Sequence, residues 1–495
     1  VKILLDRNSA QAVYLQIRDR LSRLIESGAL QPGDKLPSIR CLAKTARVNK
    51  LTVIEAYSVL EADGLIHARQ GSGYFVSSPP DISPQPTSYF SPPQEVILAE
   101  HPGSSFFDFY MAAVAAQRHT DMIDLSTGFP MNSGLEDLQR IARRAVKQVD
   151  STLFNYDLPH GQLMLRQQIT RLLIQQGLEV TPEDLIITNG SKQGLSLALQ
   201  HYVQPGDWVI VESPTYHGVL ELLSSLKAKV IGIPMKLEGI NLELLEQYLH
   251  TYNPKLIYTV STLQNPTGVT TSYAHRASLL QIAQKYGCKI IEDNAYEGLN
   301  FESVPPPIKA LDHHHVVTYL GTFSKTLMPG IRVGYMVVTG EDYQPLVESK
   351  LNHDYHVSTV SQAIVSEYLA SGHYRRHLAH LRSKHLQSRN AMLSAMERYF
   401  PAEASWTVPN GGTFLWVHLP KELSMPAICQ AALSHNILIA NGALFFPDHQ
   451  GYNALRLNFT HEPEILERSI SVLGQLLKDA QSKNMYYEKA GKIRR

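Results

Sequence analysis

The sequence predicts an α/β multidomain protein: a small helical head closed by a hairpin, a proline-rich linker, and a large body. Three observations predict it. Residues 10–62 carry three helix-like apolar periodicities, followed to residue 76 by two short strand-like runs around a glycine turn. Residues 77–93 lose that periodicity and gain prolines. Beyond about Asp124, short β-branched runs alternate with amphipathic helical ones, the rhythm of a mostly parallel sheet. A chain of 495 residues has room for two to four cores.

Composition narrows the class. Apolar residues make up 44% and charged residues 18%, ordinary values for a soluble globular protein. The formal net charge is zero, but residues 1–78 hold eleven Lys/Arg against seven Asp/Glu, so the head is locally basic. The three cysteines, Cys41, Cys288 and Cys429, have neither pairing nor metal-ligand spacing, so no metal site is expected. Scattered cysteines fit a reducing compartment, although an extracellular protein with few cysteines would look alike. No basic-then-apolar leader and no membrane-length apolar run is seen, so a cytoplasmic protein without membrane association is expected.

In the head, Val13, Ile17, Leu21, Leu24 and Ile25 recur at helical spacing up to Gly28. A turn at Gln31-Pro-Gly-Asp34 follows, then Ser38 as N-cap of a short helix to about Ala46. A further helix runs from near Lys50 to Ala62, with Val53, Ile54, Tyr57 and Leu60 inward, and Asp63-Gly64 ends it. Leu65–Arg69 and Tyr74–Val76, joined by Gln70-Gly-Ser-Gly73, read as a hairpin. This is the order of a winged helix-turn-helix, whose polar-fronted second helix can enter a major groove.

In the body, Leu135–Val149 and Leu163–Gln176 read as helices. The strand candidates are Leu185–Thr188, Trp208–Glu212, Val230–Ile233, Leu256–Val260, Lys289–Glu292, Val316–Leu320 and Gly334–Val338. Ligands of such sheets sit beyond the strands' carboxyl ends, so the residues after each strand carry the information. Thr188-Asn-Gly-Ser-Lys-Gln-Gly194 opens a helix whose N–H groups suit an anion at Ser191 and Lys192. In Ser213-Pro-Thr-Tyr216 the ring of Tyr216 can stack on a flat heterocycle, or simply pack. Gln264-Asn-Pro-Thr-Gly268 presents the amide of Asn265 to a phenolate oxygen, which Tyr296 can share. Asp293, at a strand end, can keep a pyridine nitrogen protonated and make the ring an electron sink.

The last of these turns is Gly321-Thr-Phe-Ser-Lys325, with Arg332 seven positions beyond the lysine. A desolvated lysine becomes a neutral amine that attacks an aldehyde. Thr322, Ser324 and Arg332 can donate to a phosphate beside it. An aldehyde and a phosphate on one small molecule describe pyridoxal 5′-phosphate (PLP). Taken alone, the same stretch also suits a surface lysine in a loop.

Two resemblances join these pieces. "LPSIR", "TVIEAYSVLEADGLI" and "GSGYFV" resemble the GntR-type winged helix over residues 11–77. That resemblance implies DNA contacts from Arg40, Asn49, Lys50 and Thr52, with Arg69 on the wing. The family usually has Ser-Arg where this chain has Asn49-Lys50, which keeps the charge and loses a bidentate fork for guanine. "YDLPHGQLMLRQQI", "TNGSKQGL", "SPTYHG", "QNPTG", "EDNAYEG", "GTFSKTLMPGIRVGY", "GGTFLWV" and "LRLNF" resemble the fold-type I, aspartate aminotransferase-like PLP enzymes over residues 124–475.

The second resemblance implies Lys325 as the lysine that bonds the cofactor aldehyde and Asp293 on the pyridine nitrogen. Asn265 and Tyr296 fall on the phenolate oxygen and Tyr216 over the ring. Ser191, Lys192, Thr322, Ser324 and Arg332 fall on the phosphate, with Tyr156 reaching it from a neighbouring subunit, which implies a homodimer. Arg456 matches the fork for a substrate or effector carboxylate; an ordinary strand-end ion pair is its alternative.

End to end, the chain resembles the MocR subfamily of bacterial transcription regulators. The resemblance implies a DNA-binding domain at 1–78, a linker at 79–121, a large PLP domain at 122–342, a small domain at 343–480 and a basic tail at 481–495. It also implies a regulator that senses an amine, an amino acid or PLP itself. The competing expectation is a working amino acid aminotransferase that carries a DNA-binding head.

Overall fold

The computed structural model describes residues 13–26, 29–62, 65–69, 73–77, 95–100, 102, 106–116, 121–128, 135–148, 151–450 and 453–493. Most of the predicted linker, the Gln70–Ser72 turn, Gly28 and Asp63-Gly64 lie outside these residues, as do the side chains of residues 483–495. The chain divides into two compact units, Val1–Gln85 with Leu369–Ser383, and Pro86–Tyr368 with Lys384–Arg495.

Helices in the head span Val13–Glu26, Ile39–Ala46 and Lys50–Ala62, followed by a hairpin of Ile66–Arg69 and Gly73–Val76. Ser38 caps the second helix by accepting from the Cys41 amide at 3.2 Å. Ile17, Leu21, Leu42, Val53, Ala56, Tyr57, Leu60 and Ile66 form one core. On the third helix the buried residues 53, 56, 57 and 60 follow the i, i+3, i+4, i+7 pattern. Ile54 lies about 100° round the axis from Val53 and is 40% exposed, so its predicted inward orientation is corrected. Tyr57 donates to the Pro37 carbonyl at 2.7 Å and meets the Tyr74 ring edge-on at 4.9 Å. Glu61 accepts from the Ala68 amide at 2.9 Å, tying the hairpin to the same helix.

All seven predicted body strands form, and they lie in one sheet. Its order is Ile97–Ala99, Lys229–Lys236, Trp208–Ser213, Leu256–Thr259, Lys289–Asp293, Val317–Thr322, Gly334–Val337, Leu185–Thr188. The five strands from Lys229–Lys236 to Val317–Thr322 are mutually parallel, while the pairings at both ends are antiparallel. The mostly parallel expectation therefore holds for the centre, and the whole sheet is mixed. Side chains alternate between two cores: Val209, Val211, Tyr258 and Ile291 face one, Ile210, Ile257 and Ile290 the other. Burial on both faces explains why these strands read as continuous apolar runs.

A smaller antiparallel sheet has the order Ser405–Trp406, Phe414–His418, Ala454–Asn458, Ala440–Asn441. Its Leu415, Val417, Leu455 and Leu457 pack on Met392, Ile428, Leu466 and Ile470 from three helices. The short strand Ile437–Leu438 pairs in parallel with Ile123–Asp124.

Candidate cofactor site

The site lies beyond the carboxyl ends of the parallel strands. Register places Asp293 opposite Leu320, so the Lys289–Asp293 strand ends next to the strand that leads into Lys325. Asp293 is 5% exposed. Its Oδ2 accepts from the Tyr258 hydroxyl at 3.0 Å, whereas its buried Oδ1 has no hydrogen-bond partner. Burial raises its pKa to about 6, partly opposed by the Tyr258 hydrogen bond, the nearby Ala295 amide and the Lys325 charge. A protonated pyridine nitrogen is the kind of donor that the free oxygen lacks, and this is the observation on which PLP fits.

Lys325 Nζ donates to the Gly128 carbonyl at 2.9 Å and lies 6.0 Å from the centre of the Tyr296 ring. Burial first, then the Arg456 and Arg332 charges, lower its pKa to about 8, against the pull of Asp293. Roughly a tenth of this amine is neutral near pH 7. Tyr216 is the residue before the helix His217–Ser225, and its pKa rises to about 12 through burial and then Asp293. Tyr296 is buried and meets Phe414 edge-on at 5.8 Å; burial raises its pKa as well.

Arg456, on the Ala454–Asn458 strand, is 2% exposed. Its Nη1 donates to Asn265 Oδ1 at 2.8 Å and its Nη2 to the Ser126 carbonyl, while the buried Nε has no partner. The guanidinium lies 3.8 Å from the Phe414 ring centre and 4.7 Å from that of Phe445. Burial lowers its pKa to about 10. The ion pair considered as its alternative is not what the structure holds: Nη1 and Nη2 both donate to neutral oxygens, and Asp124 acts only through space.

The phosphate candidates cluster at the start of helix Ser191–Tyr202. Arg332 donates to the Asn189 carbonyl at 2.7 Å and to Ser324 Oγ at 3.3 Å. Gly190 has φ of 77°, and a Cβ there would stand 2.7 Å from Arg332 Nη2. Thr322 Oγ1 donates to the Val333 carbonyl at 3.3 Å and accepts from the Ser324 amide at 3.1 Å, so its hydroxyl shapes the turn. Lys192 is exposed and is among the charges that depress the pKa of His217, after burial and Arg456. Tyr156 stands at the surface, 87% exposed, with its ring 5.8 Å from that of Tyr355.

Sequence reasoning missed several contributors. Tyr258 sits one strand away from Asp293, and only sheet order brings them together. The Ser126–Gly128 segment supplies carbonyls to Arg456 and Lys325, and Asp124 pins it by accepting from Ser126 N at 2.8 Å and Ser126 Oγ at 2.6 Å. Glu212, buried at the end of its strand, accepts from Gln264 Nε2 at 2.9 Å; Gln264 also donates to the Pro214 carbonyl at 2.9 Å. That pair joins the turn bearing Tyr216 to the turn bearing Asn265. Acidic residues immediately after apolar strand runs were the available signal for Glu212.

On the head, Arg40, Asn49, Lys50 and Arg69 are exposed and Thr52 is half-buried. Asn49 Oδ1 accepts from the Leu51 amide at 3.0 Å, a capping role, and Arg69 covers the Phe75 ring at 4.7 Å. Among the described residues, no group of three His, Cys, Asp or Glu is placed to hold a metal ion, and no helix is long and apolar enough to cross a membrane.

Residues 120–473 match the family "Aminotransferase class I and II", and residues 13–76 match "Bacterial regulatory proteins, gntR family". The "Uncharacterized HTH-type transcriptional regulator YdcR" of Escherichia coli (strain K12) is 33% identical over 94% of this chain and 99% of its own. "Aromatic-amino-acid aminotransferase 1" of Thermococcus litoralis is 32% identical over 74% of this chain and 90% of its own. The crystal structure of LysN, the α-aminoadipate aminotransferase of Thermus thermophilus complexed with N-(5′-phosphopyridoxyl)-L-leucine, superposes with a TM-score of 0.70. It is 30% identical and covers 77% of this chain and all of that one.

Proposed function

The chain belongs to the class I and II aminotransferase family joined to a gntR-family head, the MocR layout, and on that premise we propose that its body senses an amine or amino acid and thereby sets the grip of its head on DNA. It is a PLP-dependent transcriptional regulator. The observation that carries the sensing proposal is that a half-buried Lys325 and a buried Asp293 and Arg456 share a chain with a helix-turn-helix head. We assign residues 1–78 to DNA binding, the proline-rich start of 79–121 to the linker, and 122–342 and 343–480 to the large and small body domains, with 481–495 as a basic tail; the expected linker is corrected at its far end, where Ile97–Ala99 pairs with Lys229–Lys236 at the edge of the body sheet and Phe106–Ala116 is a helix.

When bound, PLP supplies an aldehyde that reacts with amines and a pyridinium that withdraws electrons. The chain's own residues divide the remaining work. Asp293 Oδ1 would accept the pyridine N–H, while Tyr258 holds the carboxylate in place through Oδ2. Arg332, Ser324, Lys192 and the first amides of the Ser191 helix would hold the phosphate, with the Thr322 hydroxyl shaping the turn beside them. Tyr216 would cover the ring, and Asn265 and Tyr296 would hold its phenolate oxygen. Lys325, partly neutral at physiological pH, would be the amine that meets the aldehyde, and its Nζ is placed to hold or give up a proton there. Arg456 would clamp the effector carboxylate with a guanidinium that lies against the Phe414 and Phe445 rings.

The working assembly is a homodimer in the cytoplasm. Tyr156, Phe154, Met164 and Tyr355 are exposed on the body, an apolar surface that suits a second copy of the chain. Coupling to DNA requires two states of the assembly with different DNA affinity, which the effector populates unequally.

The completeness of the Lys325, Asp293 and Arg456 set favours a second reading, an aminotransferase with a DNA-binding head. The deciding experiment mixes the purified protein with candidate amino acids and an oxo-acid acceptor while DNA affinity is followed. A shift in DNA affinity without turnover is expected. Sustained transamination with unchanged DNA affinity would overturn the sensing reading.

A further inference from the structure

On the third head helix, Lys50, Leu51, Ile54 and Glu55 are exposed, at the i, i+1, i+4, i+5 spacing of one face. Leu51 is 69% exposed and Ile54 40%, although the same helix buries Val53, Ala56, Tyr57 and Leu60 completely. Two aliphatic side chains therefore stand outside the core on the face that also carries Lys50. Asn49 spends its side-chain oxygen on the Leu51 amide, which stiffens the first turn and leaves Leu51 projecting beside Lys50.

We infer that Leu51 selects thymine by packing on its C5-methyl group in the major groove. The inference rests on the head binding DNA through this helix, as proposed above. A leucine has no donor or acceptor for a base edge. Against G·C it would strip water from polar edge groups and return nothing, a cost that disfavours those pairs. Against T·A it buries apolar surface on both sides, the one apolar feature the major-groove edge presents. The charge beside it, Lys50, suits a backbone phosphate at the groove and carries no sequence information of its own. Ile54, one turn along, extends the apolar strip, while Glu55 faces the same way and keeps the closest approach to the first turn. This is readout of a different kind from the guanine fork that Lys50 lacks.

The test uses the full-length, PLP-loaded protein and selection from a random duplex library, with wild type and Leu51→Ala in parallel. Wild type is expected to enrich a thymine at one position of each half-site, and Leu51→Ala to lose that preference while still binding DNA. Replacing that thymine by deoxyuridine, which removes only the methyl, should weaken wild type about fourfold, the worth of one buried methyl, and leave Leu51→Ala unchanged. Enriched sites without such a thymine, or equal losses in both proteins on the uracil duplex, would overturn the inference alone. If wild type enriches no sequence and binds no duplex, the DNA-binding reading of the head falls with it. Because Leu51 is exposed, the alanine variant keeps the head core intact; its circular dichroism and melting curve should match wild type.

Discussion

Replacing Asp293 by asparagine should make the protein without PLP more stable at neutral and alkaline pH, while weakening its hold on the cofactor. The carboxyl is buried, meets one hydroxyl, and leaves Oδ1 without a partner. Its pKa is raised from 3.8 to about 6. A carboxyl raised on folding is harmless below its unfolded value and becomes a burden as pH climbs through the folded one. At about 1.4 kcal/mol per pH unit, ionised Asp293 costs the apo protein about 3 kcal/mol at pH 8. At pH 5 roughly half of that cost is present. Asparagine keeps an acceptor for Tyr258 and carries no charge, so the variant escapes the cost. Any penalty for its unbonded amide N–H, about 1–3 kcal/mol, is independent of pH. The diagnostic quantity is therefore the change in relative stability between pH 5 and pH 8, expected to favour Asp293→Asn by about 1.4 kcal/mol. Denaturant unfolding of both apo proteins, followed by body tryptophan fluorescence, measures it. With PLP added, the order should reverse, because the pyridinium supplies the counter-charge that only aspartate uses. A stability difference that is flat with pH, or unchanged PLP affinity in the variant, would refute the placement of Asp293.

Three further outcomes are expected. Lys325→Ala should lose the visible absorbance of lysine-bound PLP, and in wild type the attachment rate should rise with pH and level off above about 8, where the amine becomes mostly neutral; a midpoint near 10.5 would place the lysine in water. Arg456→Lys keeps a charge without the fork and should weaken a carboxylate effector by about 2 kcal/mol or more, roughly thirtyfold, while leaving the matching amine without a carboxylate unaffected in a competition assay. Gly190→Ala forces a Cβ to 2.7 Å from Arg332 Nη2 at a left-handed φ, so calorimetry should show PLP losing more affinity than pyridoxal, which lacks the phosphate.

Local chemistry was legible without coordinates. The head elements and the seven body strands follow from periodicity, caps and glycine turns, each set by residues within a few positions of one another. The site candidates were legible for a related reason: a parallel sheet gathers the turns after its strands at one edge, so Asp293, Asn265, Tyr216 and Lys325 could be nominated one strand at a time. The edge strand Ile97–Ala99 escaped because three residues carry too little pattern. Ile54 was misplaced because a helix face is settled by what packs against it, and a stripe of three or four residues leaves its border open.

Sequence by itself determined which residues end each strand, which turns carry hydroxyls, amides and charges, and that a basic head precedes an α/β body. Only the tertiary structure decided which of those ends are neighbours. It put Tyr258 on Asp293, the Gly128 carbonyl on Lys325, and the Ser126 carbonyl and Asn265 on Arg456, across up to 330 positions of chain. The physical reason is that pKa shifts and hydrogen bonds act over a few ångströms in space, and a strand order with crossovers makes those distances independent of separation along the chain.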